Sequence, residues 1–308
     1  MSSIAIIDLG TNTFHLLIAE VHDGTFQIIH RERQAVKLGK GGINRGRILP
    51  EALDRGVKAL RGFKSTLINF DTSSTFAFGT SALRTAHNRQ EILDQIRNET
   101  GFEVEIISGE REAELIYHGV RAALDLGMEQ SLIMDIGGGS VEFIIANRDR
   151  VFWKQSFEIG AQRLLEQFQK NDPIRKEEIR ELENYLSTTL QSLLQSLNEH
   201  KPKTLVGSSG TFDTLSDIYC IRVGIHKNEH DPETPLTLQA FREVYFDLII
   251  KGRSERLQIP GMIEMRVDMI VVACVLVKFI IDRFDFKGIR VSSYSLKEGA
   301  LSWIASKK

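Results

Sequence analysis

The amino-acid sequence predicts an α/β protein in which one plan is used twice, giving two similarly folded halves that face each other across a central cleft. Three observations predict it. The stretch Ser131 to Asn147, SLIMDIGGGSVEFIIAN, runs from an apolar lead through Asp135, Gly137, Gly138 and Gly139 into an alternating strand, the pattern of a glycine-rich β-hairpin. The N-terminal IAIIDLGTNTFHLLIAE repeats that spacing, with Asp8 against Asp135, Gly10 against Gly137, Ile18 against Ile145 and Ala19 against Ala146, which puts His15 opposite Glu142. The succession of elements, three strands and then α, β, α, β, α, also restarts at residue 131.

Glycines allow successive backbone N–H groups to converge on one concavity, which suits a phosphate, and Asp135 and Glu142 supply carboxylates for a cation. Three glycines between strands also suit an ordinary turn. The second copy favours the phosphate reading, because a phosphate chain shared by the two halves explains both turns at once.

The 308 residues suffice for two domains with substantial cores. A net charge of −2 argues against a general nucleic-acid binder, although a local cationic patch remains compatible with it. Cys220 and Cys274 lie far apart in apolar helical contexts, which reads as buried thiols in a reducing cytoplasm rather than a disulfide or metal site. No basic leader or cleavage site precedes the strand beginning at Ile4. The most apolar run, Met269 to Val277, falls well short of the ~20 residues that cross a bilayer and is expected as a buried helix, so no membrane partner is expected.

In chain order, strands are expected at 4–9, 13–20 and 25–35, followed by a glycine- and lysine-rich loop from Leu38 to Gly46. A helix opens at Pro50 and carries Leu53, Val57, Leu60, Phe63 and Leu67 at helical spacing, with Arg55, Lys58, Arg61 and Lys64 on its other face. From Arg31 to Lys64, ten Lys or Arg stand against Glu32, Glu51 and Asp54, a local net of +7. That segment suits a rail for a long polyanion; a solvated helix face is the plainer alternative.

A buried strand at 75–79 leads into a turn at 80–87 that contains Arg84, placed either for bidentate phosphate contact or simply for solvent. Asn88 and Glu91 have capping-box spacing for the next helix. After a strand at 103–107 a helix begins with Glu110, Glu112 and Glu114, where the helix dipole alone favours acids. Strands at 131–137, 141–147 and 150–158 precede a short helix from Gly160, and one long amphipathic helix is expected after Asp172 and Pro173, running to about Glu199. A strand at 204–207 enters the turn Ser208, Ser209, Gly210 and Thr211, which opens a helix and offers a further phosphate or nucleotide contact at that helix N-terminus. A polar loop at 226–235, helices at 237–251 and 262–284, a strand at 288–292 and a closing helix from about 296 complete the chain.

With these residues in view, the chain resembles the exopolyphosphatase and guanosine-pentaphosphate phosphohydrolase (Ppx/GppA) family of the actin, sugar kinase and Hsp70 superfamily. Five blocks carry the resemblance: IAIIDLGTNTFHLLIAE, FGTSALRTAHN, ISGEREAELIYHGV, MDIGGGSVEFI and IPGMIEMRVDMI. It implies two ribonuclease-H-like (actin-like ATPase) domains, with mixed five-stranded sheets flanked by helices. These would span 1–124 and 125–294, with the closing helix 295–308 packing back on the first. It also implies a cytoplasmic, Mg2+-dependent hydrolase of terminal phosphates that forms a homodimer.

Residue by residue, the resemblance makes Glu112 the general base and assigns Asp8, Gly10, Thr11, Asn12 and Thr13 to the first phosphate loop. Asp135, Gly137, Gly138, Gly139, Ser140 and Glu142 match the second loop, Arg84 a phosphate-binding arginine and Arg266 an arginine near the cleft. The chain departs from the family pattern at His15, where arginine is common, at Ser209 in a GGT turn, and at Ser295 and Lys297 in the commoner GLREG.

The expected reaction is Mg2+-assisted attack of water on a terminal phosphate of inorganic polyphosphate, with Glu112 as base and Asp135 and Glu142 positioning the cation. Guanosine pentaphosphate is the alternative substrate. A superfamily kinase and a non-catalytic polyphosphate or alarmone sensor are the readings from other classes. No GxxxxGK[ST] loop, HExxH pair or Cys-His cluster is present, which excludes a Walker-type NTPase and disfavours zinc hydrolysis.

Overall fold

The computed structural model describes residues 2–22, 24–228 and 230–307. Glu229 of the expected polar loop and Lys308 of the expected closing helix lie outside them, as do Met1 and Asp23. The chain divides into two compact units, Met1–Ala122 with Leu296–Lys308, and Ala123–Ser295.

The first unit holds strands β1 (Ser2–Leu9), β2 (Thr13–His22), β3 (Thr25–Ala35), β4 (Thr72–Gly79) and β5 (Val104–Ile106) in the order β3-β2-β1-β4-β5. The first three form an antiparallel meander, and β4 and β5 run parallel to β1. Ile4 to Ile7 of β1 are all buried, because this central strand is covered on both faces.

Helix α1 (Pro50–Leu67) turns Leu53, Val57, Leu60 and Phe63 onto a core shared with Phe14 and Leu38. Its basic residues remain outside. A short helix α2 (Ser81–Thr85) fills the expected turn, followed by α3 (Arg89–Thr100) and α4 (Gly109–Ala123). The capping box expected at Asn88 does not form. Its side-chain amide instead accepts from Ile48 N at 3.2 Å and donates to Ile48 O at 3.0 Å, tying α3 to the loop before α1.

The second unit repeats the strand order with β6 (Ser131–Ile136), β7 (Val141–Ala146), β8 (Val151–Phe157), β9 (Thr204–Ser208) and β11 (Gly288–Ser292). A two-residue edge strand, β10 (Glu233–Thr234), adds a sixth member where a polar loop is expected, pairing with Val291 and Ser292. Helix α5 (Ala161–Phe168) follows β8, and α8 (Ser209–Val223) follows β9.

The single long helix expected after Pro173 is two: α6 (Lys176–Thr189) and α7 (Gln191–His200), broken at Leu190. Just before the break, Ser187 and Thr188 donate their hydroxyls back to the carbonyls of Glu183 and Asn184, a contact that bends helices. Leu186, Leu190, Leu193 and Leu197 are all fully buried, so the apolar stripe runs through the bend and conceals it in the sequence.

After α9 (Leu238–Ile250) and the short α10 (Arg253–Leu257), the apolar helix is α11 (Ile270–Ile281), shorter than the expected 262–284 because residues 264–269 form turns before it and the chain turns again after Ile281. Every residue of α11 except Lys278 is buried in the core of this unit. No described helix is long and apolar enough to cross a membrane. Cys220 and Cys274 are buried, and burial pushes the Cys274 thiol well above the usual thiol range. Finally α12 (Leu296–Ala305) rejoins the first unit against β1, β2 and β3. Gly299 permits its close approach to α4, since a Cβ there would stand 1.7 Å from the Leu115 carbonyl oxygen.

Candidate active site

In the first unit β1 delivers Asp8 to a turn through Gly10, Thr11 and Asn12, and Thr13 begins β2; the register places Asp8 directly across from His15. The turn must be tight: a Cβ at Gly10 would lie 2.7 Å from the Thr13 carbonyl oxygen. The Asn12 carbonyl accepts from Val36 N at 3.0 Å and Lys37 N at 2.8 Å, and the Thr11 carbonyl from Gly39 N at 2.9 Å. In trans peptides the following N–H groups point the other way, so those of Asn12 and Thr13 are directed away from this segment. Thr11 is buried, and its hydroxyl has no hydrogen-bond partner among the described residues, which leaves it able to bond an oxygen of water or of a ligand.

The second unit builds the same device more completely. The carbonyls of Gly137, Gly138 and Gly139 accept from the backbone N–H groups of Ala161 (2.9 Å), Gln162 (2.9 Å) and Gly160 (3.0 Å), and Arg163 Nε adds 2.8 Å to the Gly139 oxygen. All three glycine carbonyls are thus held by the start of α5, and the N–H groups of Gly138, Gly139 and Ser140 face the opposite side. Gly160 has no room for a side chain, because a Cβ would stand 2.4 Å from Gly138 C and Gly139 N.

Asp135 and Glu142 are directly paired across β6 and β7, so both carboxylates project from one face of the sheet. Both are buried. Ser156, paired with Glu142 across β7 and β8, donates to Glu142 Oε1 at 2.7 Å. Asp135 accepts from Ser209 Oγ, 2.8 Å from each carboxylate oxygen, and from Ser295 Oγ at 2.5 Å. Gly210 and Thr211 sit in the first turn of α8, and the guanidinium of Arg266 lies on Gly210; a Cβ there would meet Arg266 Nη2 at 2.0 Å. Asp135, the glycine turn, Glu142, Gly210 and Arg266 therefore form one group within this unit.

Glu112 and Arg84 form a second group, in the first unit. Ser108 opens α4 by accepting from Arg111 N, which places Glu112 in the first turn, and Arg84 Nη1 donates to Glu112 Oε2 at 2.8 Å. The same nitrogen lies 3.2 Å from the Ile107 carbonyl. Both side chains are largely buried.

Among the described residues, no group of three or more His, Cys, Asp and Glu is disposed to hold a metal. The Asp135 and Glu142 pair fits Mg2+ nonetheless, since that ion is commonly held through one or two carboxylates, with water and substrate phosphates completing its shell.

The sequence pattern of the Ppx/GppA phosphatase family matches residues 17–307. The chain belongs to the Ppx/GppA phosphatase family. A crystal structure of an exopolyphosphatase from Cytophaga hutchinsonii is 42% identical, with a TM-score of 0.96 over 99% of this chain and 98% of that one. A Ppx/GppA family member from Aquifex aeolicus is 25% identical, with a TM-score of 0.80 over 99% and 98% of the two chains. This Ppx/GppA protein is accordingly an enzyme, a phosphoanhydride hydrolase with the mixed α/β fold of its relatives.

Sequence reasoning missed three side chains that contact the candidate site of this Ppx/GppA member. Ser156 and Arg163 gave no local signal; they are found only once strand register and the α5 contact are known. Ser295 stood out only as a departure from the family pattern, whereas Ser209 was both such a departure and a member of the turn Ser208 to Thr211.

Proposed function

We propose that this Ppx/GppA member is an exopolyphosphatase, releasing orthophosphate from the ends of inorganic polyphosphate. The observation that carries the reading is the pair of glycine-bearing turns whose carbonyls are drawn to one side. Such turns present N–H groups to phosphate oxygens irrespective of any base or sugar. Glu112, held by Arg84, takes the proton of the attacking water as its oxygen bonds to the terminal phosphorus; the bridging P–O bond breaks and the chain leaves one phosphate shorter. Arg84, Arg266 and the turns carry the charge of the phosphate oxygens. Mg2+ bound by Asp135 and Glu142 would add positive charge where negative charge accumulates.

Two things favour a long polyanion over guanosine pentaphosphate. One is the likeness to the Cytophaga exopolyphosphatase. The other is the basic segment, trimmed by the structure but still substantial. Arg55 is committed to the carbonyls of Val36, Glu51 and Lys37, and Arg61 to Glu99 at 2.6 Å, so neither serves as a rail. Arg33, Lys40, Arg45, Arg47, Lys58 and Lys64 remain exposed. The test is to incubate the purified protein with Mg2+ and, separately, polyphosphate, guanosine pentaphosphate and ATP, measuring released phosphate. Polyphosphate is expected to give the highest kcat/KM; release from guanosine pentaphosphate alone would overturn the substrate assignment.

A further inference from the structure

We infer that Ser209 and Ser295 are positioning residues that clamp the Asp135 carboxylate in the orientation from which it serves a divalent cation. This rests on the cation role proposed for Asp135 above. The two hydroxyls reach the carboxylate from segments far apart in sequence. Ser209 lies 2.8 Å from both carboxylate oxygens, Ser295 lies 2.5 Å from Oδ2, and the hydroxyls are 3.3 Å from each other. Each hydroxyl has one proton to give, and Asp135 is within reach of both.

The surrounding backbone is arranged to deliver them. Asp135, Ser208 and Ser292 form one row across β6, β9 and β11. Ser208 Oγ at 3.1 Å and Ser292 Oγ at 2.7 Å both donate to the Tyr294 carbonyl, fixing the stretch that ends on Ser295. Ser208 and Ser292 are fully buried, so this row is an internal strut rather than a solvated edge.

Ser209 supplies an independent observation. Its φ is +69°, a left-handed conformation that a β-carbon disfavours and glycine adopts freely. A residue retained only for folding would be better as glycine. Strain of this kind at a site suggests that the side chain is kept for what its hydroxyl does.

The test compares wild type with Ser209→Gly, Ser295→Ala, Ser295→Thr and the Ser209→Gly/Ser295→Ala double variant. Three quantities are measured: melting temperature, Mn2+ binding to the substrate-free protein by electron paramagnetic resonance, and the Mg2+ concentration for half-maximal phosphate release. Ser209→Gly is expected to melt no lower than wild type yet bind Mn2+ about tenfold more weakly, the usual scale for loss of a residue orienting a metal ligand. Its half-maximal Mg2+ should rise in parallel. Ser295→Thr, which keeps the hydroxyl, should retain more of the Mn2+ affinity than Ser295→Ala.

A Ser209→Gly variant with wild-type Mn2+ affinity would overturn the clamp, as would a wild type that binds no Mn2+. Weakened Mn2+ binding accompanied by an equal loss of melting temperature in every variant would reduce the serines to packing. If wild type binds Mn2+ but releases nothing from polyphosphate, the substrate assignment fails while the clamp is still decided by the Mn2+ titrations.

Discussion

Arg84 and Glu112 are joined by a hydrogen bond of 2.8 Å from Nη1 to Oε2, and the two side chains come from separate connections of the first unit, α2 and the start of α4. The residues singled out as phosphate ligand and base are therefore one unit of structure. An ionised carboxylate is the form that accepts this bond and also the form that can take a proton from water.

Glu112→Gln follows directly. The amide oxygen can still accept from Arg84, so the local fold should survive, but the neutral group cannot act as a base. Turnover should fall by about 10²-fold or more, with substrate affinity within a few-fold of wild type. Steady-state phosphate release together with equilibrium binding of polyphosphate measures both. Unimpaired turnover would remove Glu112 from the role.

Gly210→Ala probes the other group. A Cβ would stand 2.0 Å from Arg266 Nη2, and the flexible guanidinium, rather than the backbone, is what can move. Stability should change by no more than about 1 kcal/mol, while KM for polyphosphate rises as Arg266 is displaced. Arg266→Ala should produce a similar rise, and the double variant little more than either alone, because both remove one contact. Fully additive KM effects would show that Gly210 and Arg266 act separately.

The sequence made the doubled plan legible because hairpin spacing and strand register are linked. Aligning Asp8 with Asp135 forces His15 opposite Glu142, and the pairings Asp8 with His15 and Asp135 with Glu142 are the ones present. What stayed hidden depends on tertiary contact. The bend at Leu190 leaves the leucine stripe unbroken, and Ser156 reaches Glu142 through a strand pairing that no local pattern announces. The cap expected at Asn88 was lost to Ile48, forty positions away, because an amide can satisfy a distant peptide as well as its own helix.

Acid sensitivity has an identifiable contributor in Glu178. Burial opposes its ionisation, but the backbone N–H of Arg175, the Asn171 amide and the N–H groups of Lys170 and Asn171 outweigh it, holding the carboxyl below its ordinary 4.5. A depressed folded value means the stabilisation is present above the unfolded value and lost as pH falls through the folded one. Wild type should therefore lose melting temperature on acidification below pH 4.5, with Glu178→Gln less stable at pH 7 and the gap narrowing as pH drops. Parallel melting curves for the two proteins would rule out this contribution.

Arg256 anchors the turns that carry Arg266. Its guanidinium is 1% exposed and bonds Asp172 Oδ1 at 2.6 Å, the Lys251 carbonyl at 2.6 Å and the Val267 carbonyl at 3.1 Å. Asp172 is much more open, with its side chain 36% exposed. The partners are thus unequal. Removing Arg256 leaves buried carbonyls unsatisfied and frees the residue next to Arg266, so Arg256→Ala should cost about 3–5 kcal/mol. Asp172→Ala leaves two carbonyls on the guanidinium and water at its open side, and should cost distinctly less. Urea unfolding of both variants measures the difference, and equal losses would mean that the ion pair, rather than the carbonyl contacts, holds the segment.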